Sequence, residues 1–211
     1  MSLFEIIDKE NFRYDGQKYE FKNIKHWYAV NTIDIDSINS SDANLQCEII
    51  MDDGKKMVEI VFNKGFFTDN SHNKAKEEFR DVQTISYFLR ACSFDYRLQK
   101  TLKKKLETGS LNIKDVGESD SLVDVIGIVK KEYRFHDNKI VIKTNFPIYG
   151  SKYTDIKTDD ISKVEIFNGG MRIHSKYRDE PYRGKFKLDF DVIKYLLEQW
   201  AKANSVSFEI F

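Results

Sequence analysis

Apolar and polar positions alternate through most of the first sixty residues, which is the period of half-buried strands. Phe12 to Tyr14 and Lys18 to Phe21 flank Asp15-Gly16, and Asp-Gly between alternating aromatics predicts a hairpin with a two-residue turn. Phe4 to Ile7 is a short lead-in element. Ile24 to Thr32 continues in strand-forming residue types, Ile33 to Asn44 reads as a polar loop, and Leu45 to Met51 and Met57 to Asn63 form a second hairpin around Asp52-Asp53-Gly54-Lys55. The period then lengthens. From Asn73 to about Glu107 the apolar positions Ala75, Phe79, Val82, Ile85, Leu89, Cys92, Leu98, Leu102 and Leu106 fall at helical spacing. Ser93-Phe94-Asp95 is where this stretch would divide into two helices, and Gly109 stands where a helix C-terminal glycine belongs.

The second half repeats the order. Ser110 to Glu118 reads as a connector and Leu122 to Val129 (LVDVIGIV) as a β-branched strand. Tyr133 to Lys143 (YRFHDNKIVIK) is a hairpin turning at His136-Asp137-Asn138. Strands follow at Ile161 to Phe167, Met171 to Ser175 and Lys185 to Leu188, with a turn at Asn168-Gly169-Gly170 and a polar loop from Tyr177 to Arg183. Asp189 or Asp191 is placed to cap a final helix whose apolar face is Val192, Ile193, Leu196, Leu197 and Trp200. Val206 to Phe211 leaves it extended.

Strands followed by a helix, twice over, read as a duplication. Phe12-Arg13-Tyr14 and Lys18 echo Tyr133-Arg134-Phe135 and Lys139 at a spacing of 121, while Asp81, Ile85, Tyr87 and Leu89 echo Asp189, Ile193, Tyr195 and Leu197 at 108. The extended tails Ser110 to Ile113 and Ser205 to Phe208 also correspond.

This order of antiparallel strands closed by one amphipathic helix resembles the pleckstrin-homology-like (PH-like) family. The segments EYRFHDNKIVIK, DDISKVEIF, MRIHS, GKFKLD and DFDVIKYLLEQWAKAN are similar in texture to bacterial PH and GRAM-type domains. The first copy departs from the pattern in its longer helical region, about 73–107. The resemblance implies an α+β chain of two PH-like units, at 8–113 and 120–211. Each would be a strongly bent antiparallel sandwich or barrel with an open corner plugged by its C-terminal helix. It implies lipid-headgroup binding at the first hairpin of a unit, on Lys18, Lys22 and Lys25 or on Lys139 and Lys143. The paired downstream arginines of that site are absent, and Asp15, Glu20 and Asp137 oppose a phosphate there.

Composition narrows the functions. Lys plus Arg and Asp plus Glu are 34 each, so the chain lacks the basic excess from which nucleic-acid binders draw affinity, and no nucleic acid is expected. No basic leader opens the chain, and charges break every apolar run, so the expectation is a soluble cytoplasmic protein. Cys47 and Cys92 read as reduced core thiols. The basic run Lys100 to Lys105 suits a helix C-terminus.

No catalytic or metal signature emerges. His26, His72, His136 and His174 lie in different elements, and Asp34 to Asn39 lacks the glycine and closing acid of a calcium loop. Asp52, Asp53 and Glu59 approach a nuclease pattern, but Val61 stands where its lysine is needed. The expectation is therefore a non-catalytic binding module with no cofactor, acting on a protein partner or on a second copy of itself. Its contact surface is placed in the loop Thr144 to Lys157, on Phe146, Tyr149, Lys152 and Tyr153, with exposed aromatics beside cations; the other reading of this stretch is a further strand whose aromatics alternate into the sandwich core. Peripheral binding to anionic lipid through the hairpin lysines is the alternative, and an enzyme of another type the third.

Overall fold

The computed structural model describes residues 4–30, 45–54, 56–62, 69–114, 130–146, 149–167, 170–186 and 189–211, with 26–30, 45–50, 56–62 and 69–86 described at the backbone only. The expected loop at 33–44 with its calcium-like stretch, the strand at 122–129, Pro147, Ile148 and the Asn168-Gly169 turn lie outside the described residues. The fold is mixed α+β. It divides into two compact units, Met1–Gln99 and Lys100–Phe211.

The first unit holds two three-stranded antiparallel sheets. β1 (Phe4–Ile6), β2 (Asn11–Tyr14) and β3 (Gln17–Glu20) form one, and β4 (Ile24–Val30), β5 (Leu45–Met51) and β6 (Lys56–Phe62) the other. A single 3-10 turn, Phe21–Asn23, separates them. Asp15 and Gly16 both take positive φ, 47° and 78°, as the two-residue hairpin turn requires. Phe12, Phe21, Ile24 and Met51 pack on Leu89 of helix α1 (Asp69–Thr108). The Phe12 and Phe21 ring centroids stand 4.9 Å apart.

Helix α1 is continuous, with no break at Ser93. That side chain is buried, and its hydroxyl donates to the Arg90 carbonyl at 3.3 Å while accepting from Arg97 Nε at 3.0 Å. The polar residue that looked like a cap is satisfied within the helix and does not end it. Gly109, φ 69°, ends it as expected.

In the second unit, β7 (Leu111–Lys114), β8 (Lys130–Phe135), β9 (Lys139–Phe146) and β10 (Gly150–Lys157) form one antiparallel sheet in the order β10-β9-β8-β7. After a second 3-10 turn, Thr158–Asp160, β11 (Ile161–Phe167), β12 (Gly170–Ser175) and β13 (Tyr182–Lys185) form the next sheet. Helix α2 (Phe190–Ala203) follows, and β14 (Ser207–Ile210) returns to lie parallel to β11. The span Thr144 to Lys157 takes the strand reading: β9 runs through Phe146 and β10 over Gly150–Lys157, with Phe146 and Tyr153 in these strands on opposite faces of the sheet and Tyr149 outside both. Likewise β13 begins at Tyr182, inside the expected polar loop.

Tyr133 ties the two sheets together. Its hydroxyl donates to the Arg183 carbonyl, and its ring covers Gly184, where a Cβ would stand 2.7 Å from a ring carbon. Helix α2 closes the other end. Trp200, 6% exposed, meets the Phe135 ring edge-on at 5.1 Å and donates its Nε1–H to the His136 carbonyl at 2.6 Å. Asp189 holds the N-cap position but in the left-handed region, φ 53°, and its side chain makes no cap hydrogen bond. The helix starts instead on backbone geometry, with Ile193 N–H donating to the Asp189 carbonyl at 2.9 Å.

Three backbone hydrogen bonds recur between the units. Asp8 N–H to Asn11 O matches His136 N–H to Lys139 O, Phe21 N–H to Glu10 O matches Thr158 N–H to Asn138 O, and Asp52 N–H to Asn23 O matches Lys176 N–H to Asp160 O. Both sheets that follow a 3-10 turn open on a buried isoleucine, Ile24 or Ile161, with an irregularity in register just after it. On the helices, Leu89 and Leu197 are both 0% exposed and Tyr87 and Tyr195 both 41%, in the register the sequence spacing of 108 gives. The hairpin echo does not share this order. Counting by the recurrent bonds, Glu10 corresponds to Asn138, a spacing of 128, so the Phe12–Tyr19 hairpin answers to β9–β10 and not to Tyr133–Ile140. Both segments are hairpins, but their turns differ: Tyr14 pairs with Gln17 across the two positive-φ residues Asp15 and Gly16, whereas Phe135 pairs with Ile140 across four residues, none with positive φ. The tails also part company: β7 pairs antiparallel with β8, whereas β14 pairs parallel with β11.

Candidate functional site

The inner face of the β8–β9–β10 sheet changes character along its length. One row across the three strands is Phe135, Ile140 and Ile156, all at most 4% exposed. The next row is Tyr133, Ile142 and Thr154, and the one beyond it is Lys131, Thr144 and Lys152. Side chains two residues apart share a face. Hydrocarbon therefore gives way to a hydroxyl-bearing ring and then to two ammonium groups, on strands roughly 10 Å apart.

The core ends at Tyr133, and beyond it lies a cavity of about 490 Å³. The sheet supplies its floor through Tyr133, Ile142, Phe146, Lys131 and Lys152, and the segment from Arg178 to Arg183 supplies its opposite wall. That wall is braced. Arg178 Nε donates to the Glu180 carbonyl at 2.9 Å and its guanidinium lies 4.5 Å from the Tyr182 ring centre, while Lys176 Nζ donates to the Asp159 carbonyl at 2.6 Å. Three cationic side chains line the cavity, Lys131, Lys152 and Arg178, against one carboxylate, Glu180, while Arg183 borders it through its backbone, its side chain lying beside Arg172 on the outer face of the sheet. Among the described residues none of these three cations has a carboxylate within ion-pair distance.

The expected contact residues are divided by this geometry. Phe146 and Lys152 line the cavity. Tyr149 stands beyond the end of β9 and is 88% exposed, and Tyr153 faces the outer side of the sheet, 55% exposed, with Lys143 Nζ 5.9 Å from its ring centre. The hairpin lysines are partly taken up by carboxylates. Lys22 pairs with Glu20 at 3.0 Å and Lys139 with Asp155 at 2.6 Å, while Lys18 and Lys25 are exposed on the first unit. Lys131, Arg178 and Tyr182 were missed in the sequence. Lys131 was hidden beside a stretch that reads only as strand, and Arg178 and Tyr182 in a segment that reads as polar loop.

A second charged group lies on the outer face of the other sheet. Glu165, 6% exposed, sits 2.7 Å from Lys163 Nζ, 3.1 Å from His174 Nε2 and 3.5 Å from Arg172, and Lys163 also reaches Glu209 of β14 at 3.1 Å. The Lys163 ammonium bonded to it holds the Glu165 carboxyl at about 2, against the upward push of burial, with His174 adding to the lowering. This cluster is internally compensated and fastens β14 to β11. Burial raises the Cys92 thiol above its ordinary value, so at neutral pH it is a protonated, half-buried packing group beside the first-unit core. Among the described residues no group of three or more His, Cys, Asp or Glu stands close enough to hold a metal ion, and no helix is long and apolar enough to cross a membrane.

Compared with known proteins, the chain matches no family model and no curated sequence.

Proposed function

We propose that the chain is a non-catalytic binding module of two PH-like units in tandem, and that the cavity of the second unit takes an acidic segment of a partner protein. The observation that carries this reading is the excess of uncompensated cations around an aromatic-floored cavity of about 490 Å³. Sites of about 300–1,000 Å³ with apolar walls and a few convergent polar groups are ordinary ligand pockets. Carboxylates meet Lys131, Lys152 and Arg178 at the mouth, and an aromatic or aliphatic side chain between them rests on Phe146 and Tyr182. Tyr149, on the same hairpin, extends the contact outside the cavity. Two meanders joined by a 3-10 turn and closed by a helix support the PH-like reading, and the recurrent backbone bonds support the tandem. The lining offers a single carboxylate and no histidine or cysteine, which supports binding over catalysis.

The test uses a fluorescent peptide of alternating Glu and Phe and, separately, vesicles rich in phosphatidylserine. The peptide binds the full chain, binding weakens as salt rises, and Lys131→Glu with Lys152→Glu reduces it at least tenfold, the size expected on losing about 1.4 kcal/mol or more. Peptide binding that is indifferent to these substitutions refutes the site. Vesicle binding that the peptide does not compete away, and that is lost on changing Lys18 and Lys25 instead, establishes the membrane reading in its place.

A further inference from the structure

In the second unit, β11 is paired on both edges. β12 lies on one side, and β14 runs parallel on the other with Lys163↔Ser207, Val164↔Phe208, Glu165↔Glu209 and Ile166↔Ile210 in register. Phe211 N–H then donates to the Ile166 carbonyl at 2.9 Å. Val206, Phe208 and Ile210 alternate along this strand, as side chains on one face must.

β4 is the counterpart of β11. Each follows a 3-10 turn, each opens on a buried isoleucine with a register irregularity just after it, and each turn accepts the matching hydrogen bond from the strand that pairs next to it. The spacing between Ile24 and Ile161 places His26–Ala29 where Lys163–Ile166 stand. Yet the sheet order is β4-β5-β6, so among the described residues no strand lies on the outer edge of β4.

The cause is visible in the helices. Helix α2 stops at Asn204, with Ser205 in the left-handed region at φ 55°, Ser205 N–H donating to the Lys202 carbonyl and Val206 N–H to the Ala201 carbonyl. That stop turns the chain back into β14. At the matching places α1 carries Tyr96 and Arg97, both helical, and runs on to Thr108. The segment that would fill the edge of β4 is still helix when it passes, and the tail that emerges after Gly109 pairs with β8 instead.

We infer that the outer edge of β4 is a docking site for an extended segment of a partner protein, laid parallel to β4 beside His26–Ala29 with apolar side chains at alternate positions, as β14 lies on β11. Backbone groups on an unpaired edge are a template for an added strand, and ladder hydrogen bonds supply the affinity. This site does not depend on the cationic cavity, and its ligand is recognised by backbone pairing.

The test uses a labelled peptide of sequence Asn204–Phe211 with the full chain. Binding is expected, little changed by salt or by Lys131→Glu with Lys152→Glu, and hydrogen exchange at Trp27 and Ala29 amides slows when the peptide is added. The same peptide N-methylated at Glu209, whose N–H shares an edge with that of Phe211, binds at least tenfold more weakly. So does the unmodified peptide to Ala29→Pro, provided that variant keeps its cooperative melt; the N-methyl comparison stands whether or not it does. No binding, equal binding of the N-methylated peptide, or Trp27 and Ala29 amides as protected without peptide as with it, overturns the proposal. Protection that appears at 161–167 instead shows exchange with the chain's own β14, and overturns it as well.

Discussion

Gly184 is small because Tyr133 lies on it. A methyl there would stand 2.7 Å from one ring carbon of Tyr133 and 3.3 Å from the Met171 methyl, so the ring must move. Gly184→Ala is expected to cost about 1–3 kcal/mol in a urea melt, the range for overpacking a filled core. It should also weaken peptide binding at the cavity, because the displaced ring is the cavity floor. A melt unchanged from the parent would show that Tyr133 gives way freely. Glu165 makes a different forecast. Its folded carboxyl titrates at about 2 against an ordinary 4.5, so its contribution is whole above about 4.5 and is lost as pH falls through about 2. Glu165→Gln should therefore lower stability by on the order of 1 kcal/mol at neutral pH, the value of a charge-assisted hydrogen bond, with the difference from the parent shrinking toward pH 2. A difference that holds constant with pH would place the effect in packing and not in charge.

At the scale of elements, what decides the second unit is how α2 meets the sheets. Val192, Leu196, Leu197, Trp200 and Ala201 are all buried, and the Trp200 indole combines an apolar face on Phe135 with a hydrogen bond to His136. Trp200→Ala is expected to cost about 3–5 kcal/mol, as large-to-small changes in a core do. Trp200→Phe should recover much of the packing and none of the hydrogen bond, so it should fall between the two in thermal melts. This helix and most strands were legible in the sequence because period alone distinguishes them: the leucines and Trp200 at 3.6, Ile161 to Ile166 near 2. The Asp15-Gly16 turn was legible because few residues accept two positive φ angles in succession. The continuity of α1 was not, since Ser93 carries the same signal whether it caps a helix or bonds back within one. β10 was legible in its aromatic alternation but not in its start, since Gly150-Ser151-Lys152 carries no strand signal of its own.

For the whole molecule, the sequence showed a repeated order but misplaced its register. The two stretches share an aromatic–Arg–aromatic run followed by a lysine, Phe12–Tyr14 with Lys18 and Tyr133–Phe135 with Lys139, while the recurrent bonds run from backbone to backbone and leave no trace in side-chain identity. The candidate site was half legible for the same reason. Phe146 and Lys152 belong to a strand pattern with exposed aromatics nearby. Lys131 and Arg178 join them only through strand pairing and a sheet-to-sheet approach that no local spacing encodes.

The gradation along the inner face of β8–β9–β10 also bears on motion. Amides in the Phe135, Ile140 and Ile156 row open only when the packed interior of the unit opens, because hydrocarbon seals them on one side. Those beside Lys131, Thr144 and Lys152 border the cavity and have little apolar contact to lose. Exchange rates measured strand by strand should rise from the helix-plugged end to the cavity end, with the step falling at Tyr133. On the proposed function, the end of the sheet that meets the ligand is the end free to adjust to it, while the Trp200 end keeps the unit folded during the adjustment.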